Sequence, residues 1–473
     1  MVDFGFIEEW KPEPGLLTCW AATPHTLAAV NAAPPHPVPP SHQQQEYLRI
    51  AARNAHSGLR GSRLCMIAFT LPGAPDHSVW ETTFTRFLRR HDTFRSWFVP
   101  GPDGSFTRRA IDPEDIALAP AIQRSFRDSG AIRAHVEDAV PSVLEWDCFG
   151  FGLIEHEDSY TVYAVVDHLH TDGVGQALSC VDLIALFGDV ASGGAAPPGP
   201  VDGHIAYCAR EQAHNAALTP ASPPIRRWLE LLRRNGGRVP GYPADLGVGA
   251  GAQVQGHQRT EVLIDEAGAL RFEEVCRAAG GRFTGGLFAA AALAEAAAGG
   301  GDWHFGLTPV NTRGTAGEAG SIGWYSNLVP VVFPIADDAT FTSLVPLAQA
   351  AYDGGKELVD TSVHRAIELA GPEHGIRTPR GWTARMLSYV DVRRIPGVEM
   401  FDLIGGGLWG SRGTANELYT WLNRFPDVSK LSVVFPDTPQ AHAAVERYLA
   451  TMREIFTAVA ADGEYALRAG ALP

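Results

Sequence analysis

Cysteine is scarce and unpatterned in this chain of 473 residues. The six are Cys19, Cys65, Cys148, Cys180, Cys208 and Cys276, with no C-x-x-C pair. That scatter excludes a disulfide framework and a cysteine zinc site, and predicts free, mostly buried thiols in a reducing compartment. Basic runs are missing too. Lys+Arg total 38 against Asp+Glu 53, a formal charge of -15 at pH 7. Such a chain lacks the electrostatic footprint of a nucleic-acid or anionic-membrane binder, so no nucleic acid is expected as a partner. Long apolar runs are also lacking. The most apolar stretch, Gly285 to Ala298, is mainly alanine, carries Glu295 and is too short to span a bilayer, so no membrane span is expected. The opening MVDFGFIEEW has no basic n-region and no long apolar h-region. No signal peptide is expected, and a cytoplasmic location follows. What remains is 45% hydrophobic and 19% charged, the balance of a globular chain with ample length for a core.

Proline and glycine punctuate the sequence at three places. The first forty residues end in PPHPVPP and predict an extended segment wrapped over a lobe. SGGAAPPGPVDG, residues 192–203, reads as a loop. PGYPADLGVGAGAQVQG, from Pro240 to Gly256, lacks both helical and strand periodicity and reads as a linker. Two lobes are therefore predicted, at 1–240 and 257–473, joined by 241–256. Strands and helices alternate in both. Thr161 to Val166 is β-branched and nearly all apolar, the mark of a strand buried on both faces. Val174, Ala177, Leu178, Val181 and Ala185 then fall at helical spacing. Near the C-terminus, Leu431, Val433 and Phe435 alternate as a strand. Thr438 offers an N-cap, with Pro439 at the first helical position. The fold class is α/β, built as two sheet-and-helix lobes.

Between the buried strand and its helix lies Asp167-His168-Leu169-His170-Thr171-Asp172-Gly173. Two imidazoles and two carboxylates thus occupy a strand-to-helix turn, where sites tend to sit. A histidine there suits a general base. Gly173 reads as a close-packing or positive-φ position at the helix start. The order His168-x-His170-x-Asp172 also resembles part of the H-x-H-x-D-H pattern of metallo-β-lactamase-like hydrolases. Its third histidine is Gly173 here, so no metal site is assigned.

Aligned on Asp172-Gly173, the same segment resembles H-H-x-x-x-D-G, the motif of condensation domains of nonribosomal peptide synthetases and related CoA-dependent acyltransferases. Its second histidine falls on His168, and Asp167 replaces the first. Four more segments match that superfamily in order. Arg90 to Phe98 (RHDTFRSWF) resembles R-H-E-x-L-R-T-x-F. Ser41-His42-Gln43-Gln44 resembles S-x-x-Q. Gly306-Leu307-Thr308-Pro309 with Arg313 resembles G-x-P-x-x-x-R in type. Ile322 to Pro330 resembles I-G-x-F-x-N-x-x-P. The chain looks most like the stand-alone, polyketide-associated-protein type of acyltransferase.

The resemblance implies two chloramphenicol-acetyltransferase-like lobes in a V-shaped pseudo-dimer with a central tunnel. It implies acyl transfer from acyl-CoA or a phosphopantetheinyl carrier-protein thioester to a small hydroxyl acceptor, possible acceptors including a sugar such as trehalose, with no bound cofactor. His168 would be the general base, Gly173 N–H an oxyanion donor with Asn327 as the second choice, and Asp172 a structural partner of Arg313. Asp167, His170, Ser326, Asn327 and Trp409 would line the substrate site. Trp409 would lie in a loop from the second lobe, and Trp324 and Trp421 in the core. A monomer is the default, since both lobes come from one chain. Two alternatives stay open: an amide-forming condensation enzyme, and an inactive domain that binds a carrier protein and recruits partners. Asp167 keeps the last alive.

Overall fold

The computed structural model describes residues 3–56, 63–194, 201–249, 252, 254–378, 382–395 and 397–467. Its described residues form two compact units. One runs up to Ala213 and also takes Arg313–Ser326 and Ile395–Gly413; the other holds His214–Thr312, Asn327–Arg394 and the chain from Thr414 onward. The division therefore falls after Ala213, before the predicted linker, and two later segments return to the first unit. Composition reveals loops, but it is blind to a distant segment that completes another unit's sheet. Ala250, Gly251 and Gln253 of the linker lie outside the described residues, and a strand already starts at Val254.

The first unit is built on seven strands. Their spatial order is Asp3–Phe6, Gly407–Gly410, Leu64–Pro72, Ser159–Asp167, Phe149–Glu155, Gly15–Ala22 and Leu118–Phe126. Ser159–Asp167 sits mid-sheet, antiparallel to both neighbours. Its apolarity follows from cover on both faces. Tyr160, Val162, Ala164 and Val166 enter a core with Trp80, Phe84 and Phe87 of the helix His77–Arg90. Tyr163 and Val165 enter another with Ile132 and Val136 of the helix Ser129–Asp138.

The N-terminal forty residues are more regular than predicted. Gly15–Ala22 pairs on both edges, and Thr23 caps the helix Pro24–Ala32. Proline content misleads there because Pro24 sits at the first helical position, where its missing N–H costs nothing.

The helix Gly173–Ala191 follows the histidine turn. By length and composition it could cross a membrane, although the longest apolar run in the sequence lies elsewhere. Ala177, Cys180, Leu183 and Leu186 lie in the sheet's core, which accounts for that apolar content. The alanine-rich helix Phe283–Ala297 is buried along nearly its whole length in the second unit.

The second unit's sheet runs Ser326–Pro334, Trp303–Asn311, Met386–Asp391, Tyr419–Arg424, Val428–Pro436, Val254–Asp265 and Thr414–Ala415. The long helix Pro439–Asp462 covers it, capped by Thr438 as predicted. All six cysteines are free thiols.

Candidate active site

The buried strand ends at Asp167, and the turn after it is built by side chains. The Asp167 carboxylate accepts the Leu169 N–H at 2.8 Å, winding His168–His170 into a single 3-10 turn. Tyr47 holds the same carboxylate through its hydroxyl, which also accepts the Arg63 N–H at 2.7 Å. The Arg63 carbonyl in turn accepts the His168 N–H at 2.8 Å. Gln44 donates to the Leu169 carbonyl at 2.9 Å. Asp167 is fully buried and acts as a cap, so it does not line a substrate site.

Downstream, Asp172 is the hub. It accepts the Gly175 N–H at 2.7 Å as N-cap of the following helix. Arg313 grips it with two bonds, at 2.9 and 3.1 Å, and the Tyr325 N–H adds a third donor at 2.9 Å. Arg313 also donates to the Ser321 carbonyl at 3.1 Å and stacks 4.5 Å from the Tyr325 ring. The segment Arg313–Ser326 is thereby latched beside the histidine turn. The Arg90–Phe98 motif braces the same region. His91 bonds Asp182 at 2.9 Å and faces the Ile322 N–H at 3.3 Å, while Asp92 accepts the His204 N–H at 2.7 Å.

The latch brings Trp324 onto His168. Their ring centroids are 4.4 Å apart, and Tyr47 closes the corner, 6.3 Å from the imidazole and 5.4 Å from the indole. The indole N–H donates to Ser326 at 2.8 Å, so Ser326 steadies Trp324. Tyr47 and Trp324 are the residues of this site that sequence reasoning misses. Tyr47 lies one helical turn past the S-x-x-Q motif, a signal within reach; the apolarity of Trp324 points only to the core.

His168 is half-buried, with Nδ1 closed off from solvent and without a hydrogen-bond partner. Burial lowers its pKa to about 4, and the nearby Arg63 charge pushes the same way; its own backbone and Asp172 oppose them. The imidazole is therefore neutral at pH 7 and able to accept a proton. The sign has a measurable consequence. A catalytic base with its pKa lowered stays active as pH falls, so kcat/KM should hold steady from pH 8 to 5 and fall only near pH 4. A profile breaking near 6.5 would mean a solvated imidazole.

The other expected residues are placed differently. His170 is buried, with Nδ1 3.0 Å from the Thr93 hydroxyl and its ring against Phe94; burial drives its pKa to about 3. Its role is internal, not substrate-lining. His168, His170 and Asp172 each turn to different partners, so they form no metal cluster. Asn327 donates to the Val359 carbonyl at 2.8 Å and accepts the Leu328 N–H at 2.9 Å. Those bonds engage its carbonyl and one of its two N–H donors. Trp409 lies on the strand Gly407–Gly410 within the first sheet, packed 6.0 Å from Trp10 in the core. It is neither in a loop nor exposed to substrate. Two of the three glycines before it are set by packing, since a Cβ on Gly407 would strike the Trp409 ring and one on Gly406 the Phe401 ring, while Gly405 is set by its positive φ.

Gly173 corrects its own rationale. Its φ is not positive, and a Cβ there would meet nothing within 4 Å. The crowded glycine is Gly175, whose Cβ would lie 2.7 Å from the Thr171 hydroxyl. Gly173 is exposed at the first helical position, where backbone N–H groups have no intrahelical acceptor.

Comparison with known proteins sets this geometry in context. Residues 62–357 match the family described as Condensation domain. The chain is 35% identical over 467 residues to trehalose-2-sulfate acyltransferase PapA2 of Mycobacterium tuberculosis, covering 97% of each. It is 32% identical over 469 residues to 2'-acyl-2-O-sulfo-trehalose (hydroxy)phthioceranyltransferase PapA1 of Mycobacterium bovis, covering 98% of this chain and 89% of that one. A solved structure of PapA2 acyl transferase superposes with a TM-score of 0.89 at 34% identity, over 97% of this chain and all 100% of that one. The first condensation domain of the CDA synthetase superposes with a TM-score of 0.66 at 18% identity, over 92% of this chain and 100% of that one, a likeness of fold.

Proposed function

The chain belongs to the condensation-domain family and is an acyltransferase, and from that premise we propose that His168 is the general base for ester formation on a sugar hydroxyl. One observation supports this above the others: a neutral, half-buried imidazole is held at a strand end by Trp324, Tyr47 and the Asp172–Arg313 latch. Nε2 takes the hydroxyl proton as the acceptor oxygen attacks the thioester carbonyl. The C–O bond forms, the C–S bond breaks, and the proton passes from His168 to the departing thiolate. General-base assistance of this kind supplies about 10²–10⁴-fold, and alignment of the two substrates supplies much of the rest.

The tetrahedral intermediate carries an oxyanion, for which the Gly173 N–H is the proposed donor. Gly173→Pro tests it, because proline removes the N–H, suits the first helical position and follows an already extended Asp172; the variant should keep nearly the wild-type Tm while kcat/KM falls by about 10²-fold or more. Unchanged turnover would remove Gly173 from the reaction path.

Trehalose or a sulfated trehalose is the proposed acceptor, on the strength of the relatives' names, and acyl-CoA or an acyl-carrier protein the donor. The enzyme is taken to act as a cytoplasmic monomer. A mass-spectrometric transfer assay decides the donor and the acceptor. Purified protein receives both donor types with trehalose, sulfated trehalose, other alcohols and amines. A new sugar ester supports the reading, an amide product replaces it with peptide-type condensation, and carrier binding without turnover replaces it with recruitment.

A further inference from the structure

One group of metal-binding side chains in the second unit is unconnected with the acyl-transfer machinery. His257 comes from the strand Val254–Asp265, Asp437 from the turn after Val428–Pro436, and His442 from the first turns of the helix Pro439–Asp462. One ligating atom from each lies within 4.8 Å of the other two. His442 Nε2 is 2.8 Å from the Asp437 carboxylate and His257 Nδ1 is 4.0 Å from it, with the imidazole centroids 4.6 Å apart. We propose that His257, Asp437 and His442 bind a divalent transition-metal ion of the zinc class.

Three features argue for this. First, the donor set is selective. Two imidazoles and one carboxylate suit zinc, nickel or copper, whereas calcium and magnesium take oxygen ligands. Three protein ligands leave a fourth position for water. Second, the donors stand on fixed supports. Strand pairing sets His257 opposite Phe435, the Asp437 N–H is bonded to the Gln255 carbonyl at 2.9 Å, and Thr438 caps the helix that carries His442. Phe435 also meets both imidazoles edge-on, at 5.3 and 5.1 Å. Third, the side chains are accessible, at 37%, 49% and 44% exposed. Ligands around a tetrahedral zinc sit about 3.4 Å apart, so closure needs shifts of about 1 Å in exposed side chains. A bound ion would tie the start of the closing helix to two strands of the sheet, and would raise Tm because it binds the folded chain.

The test uses the untagged full chain, stripped with a chelator and dialysed. Titration with Zn²⁺ should show one saturable equivalent and a concentration-dependent rise in Tm. Co²⁺ at the same site should give a visible d–d absorption. His257→Ala and His442→Ala should each weaken zinc binding by at least about tenfold and abolish the cobalt band, while the metal-free variants keep the wild-type Tm. Absence of saturable binding up to about 1 mM zinc would overturn the proposal. So would binding that survives in the His257→Ala/His442→Ala double variant.

Discussion

His168→Ala should lower kcat for ester formation by about 10²–10⁴-fold and leave the fold standing. Both parts follow from the packing. On the proposed mechanism the imidazole accepts the acceptor's proton, and no other histidine of the motif can replace it, because His170 is buried against Thr93 and Phe94. The side chain also carries little structure. The turn is held by Asp167, by Gln44 and by the backbone bond between His168 and Arg63, all of which survive truncation to alanine. Single-turnover transfer with a mass readout, beside circular dichroism and a melting curve, separates the two effects. A variant keeping a tenth or more of wild-type kcat would move the base elsewhere. Trp324→Ala serves as a companion. It leaves the base in place but frees its ring, so turnover should fall while the pH profile still shows the titration of the base.

The second large effect belongs to the latch. The Asp172 and Arg313 side chains are 9% and 3% exposed, and the pair makes two hydrogen bonds. A buried pair adds little against apolar replacements, but removing one partner strands the other's charge, at a cost of about 3–5 kcal/mol. Arg313→Met should therefore lower stability by about that amount in a denaturant titration. It should also abolish transfer, because Trp324 reaches His168 through the segment that Arg313 and the Tyr325 N–H fasten to Asp172. Asp172→Asn keeps an acceptor for only one of the Gly175 and Tyr325 N–H groups, which use different carboxylate oxygens, and leaves the guanidinium uncompensated. The double variant Asp172→Asn/Arg313→Met should be more stable than Arg313→Met alone, since neither charge is then unpaired. If the single variants melt like wild type, the latch is not a structural element.

Much of this arrangement is legible in the sequence because its signals are local. A strand buried on both faces must be apolar throughout, and Thr161 to Val166 is. Thr438 and Pro439 announce a helix start through the same backbone chemistry that forms it. Asp172 and Arg313 can be paired because the family resemblance implies that an Asp of the first motif meets an Arg at the position of Arg313. The free thiols follow from cysteine spacing alone.

The failures share a cause of the opposite kind. The family resemblance implies a loop around Trp409, yet Gly407–Gly410 is inserted between the strands Asp3–Phe6 and Leu64–Pro72. Asn327 and Ser326 both have the polarity of site residues, and only their hydrogen bonds show that one is bonded to backbone partners and the other steadies an indole. Asp167 stands out as a departure from the family's motif, and the fold makes it the cap of the histidine turn. By itself, then, the sequence determined the alternation of elements, the family and the position of the proposed base, because periodicity, caps and motifs act within a few residues. Which side chains surround that base was decided only by the tertiary structure. Tyr47, Arg63, Trp324 and Arg313 come from distant stretches of chain, and no local rule relates residues that meet only after the sheet has formed.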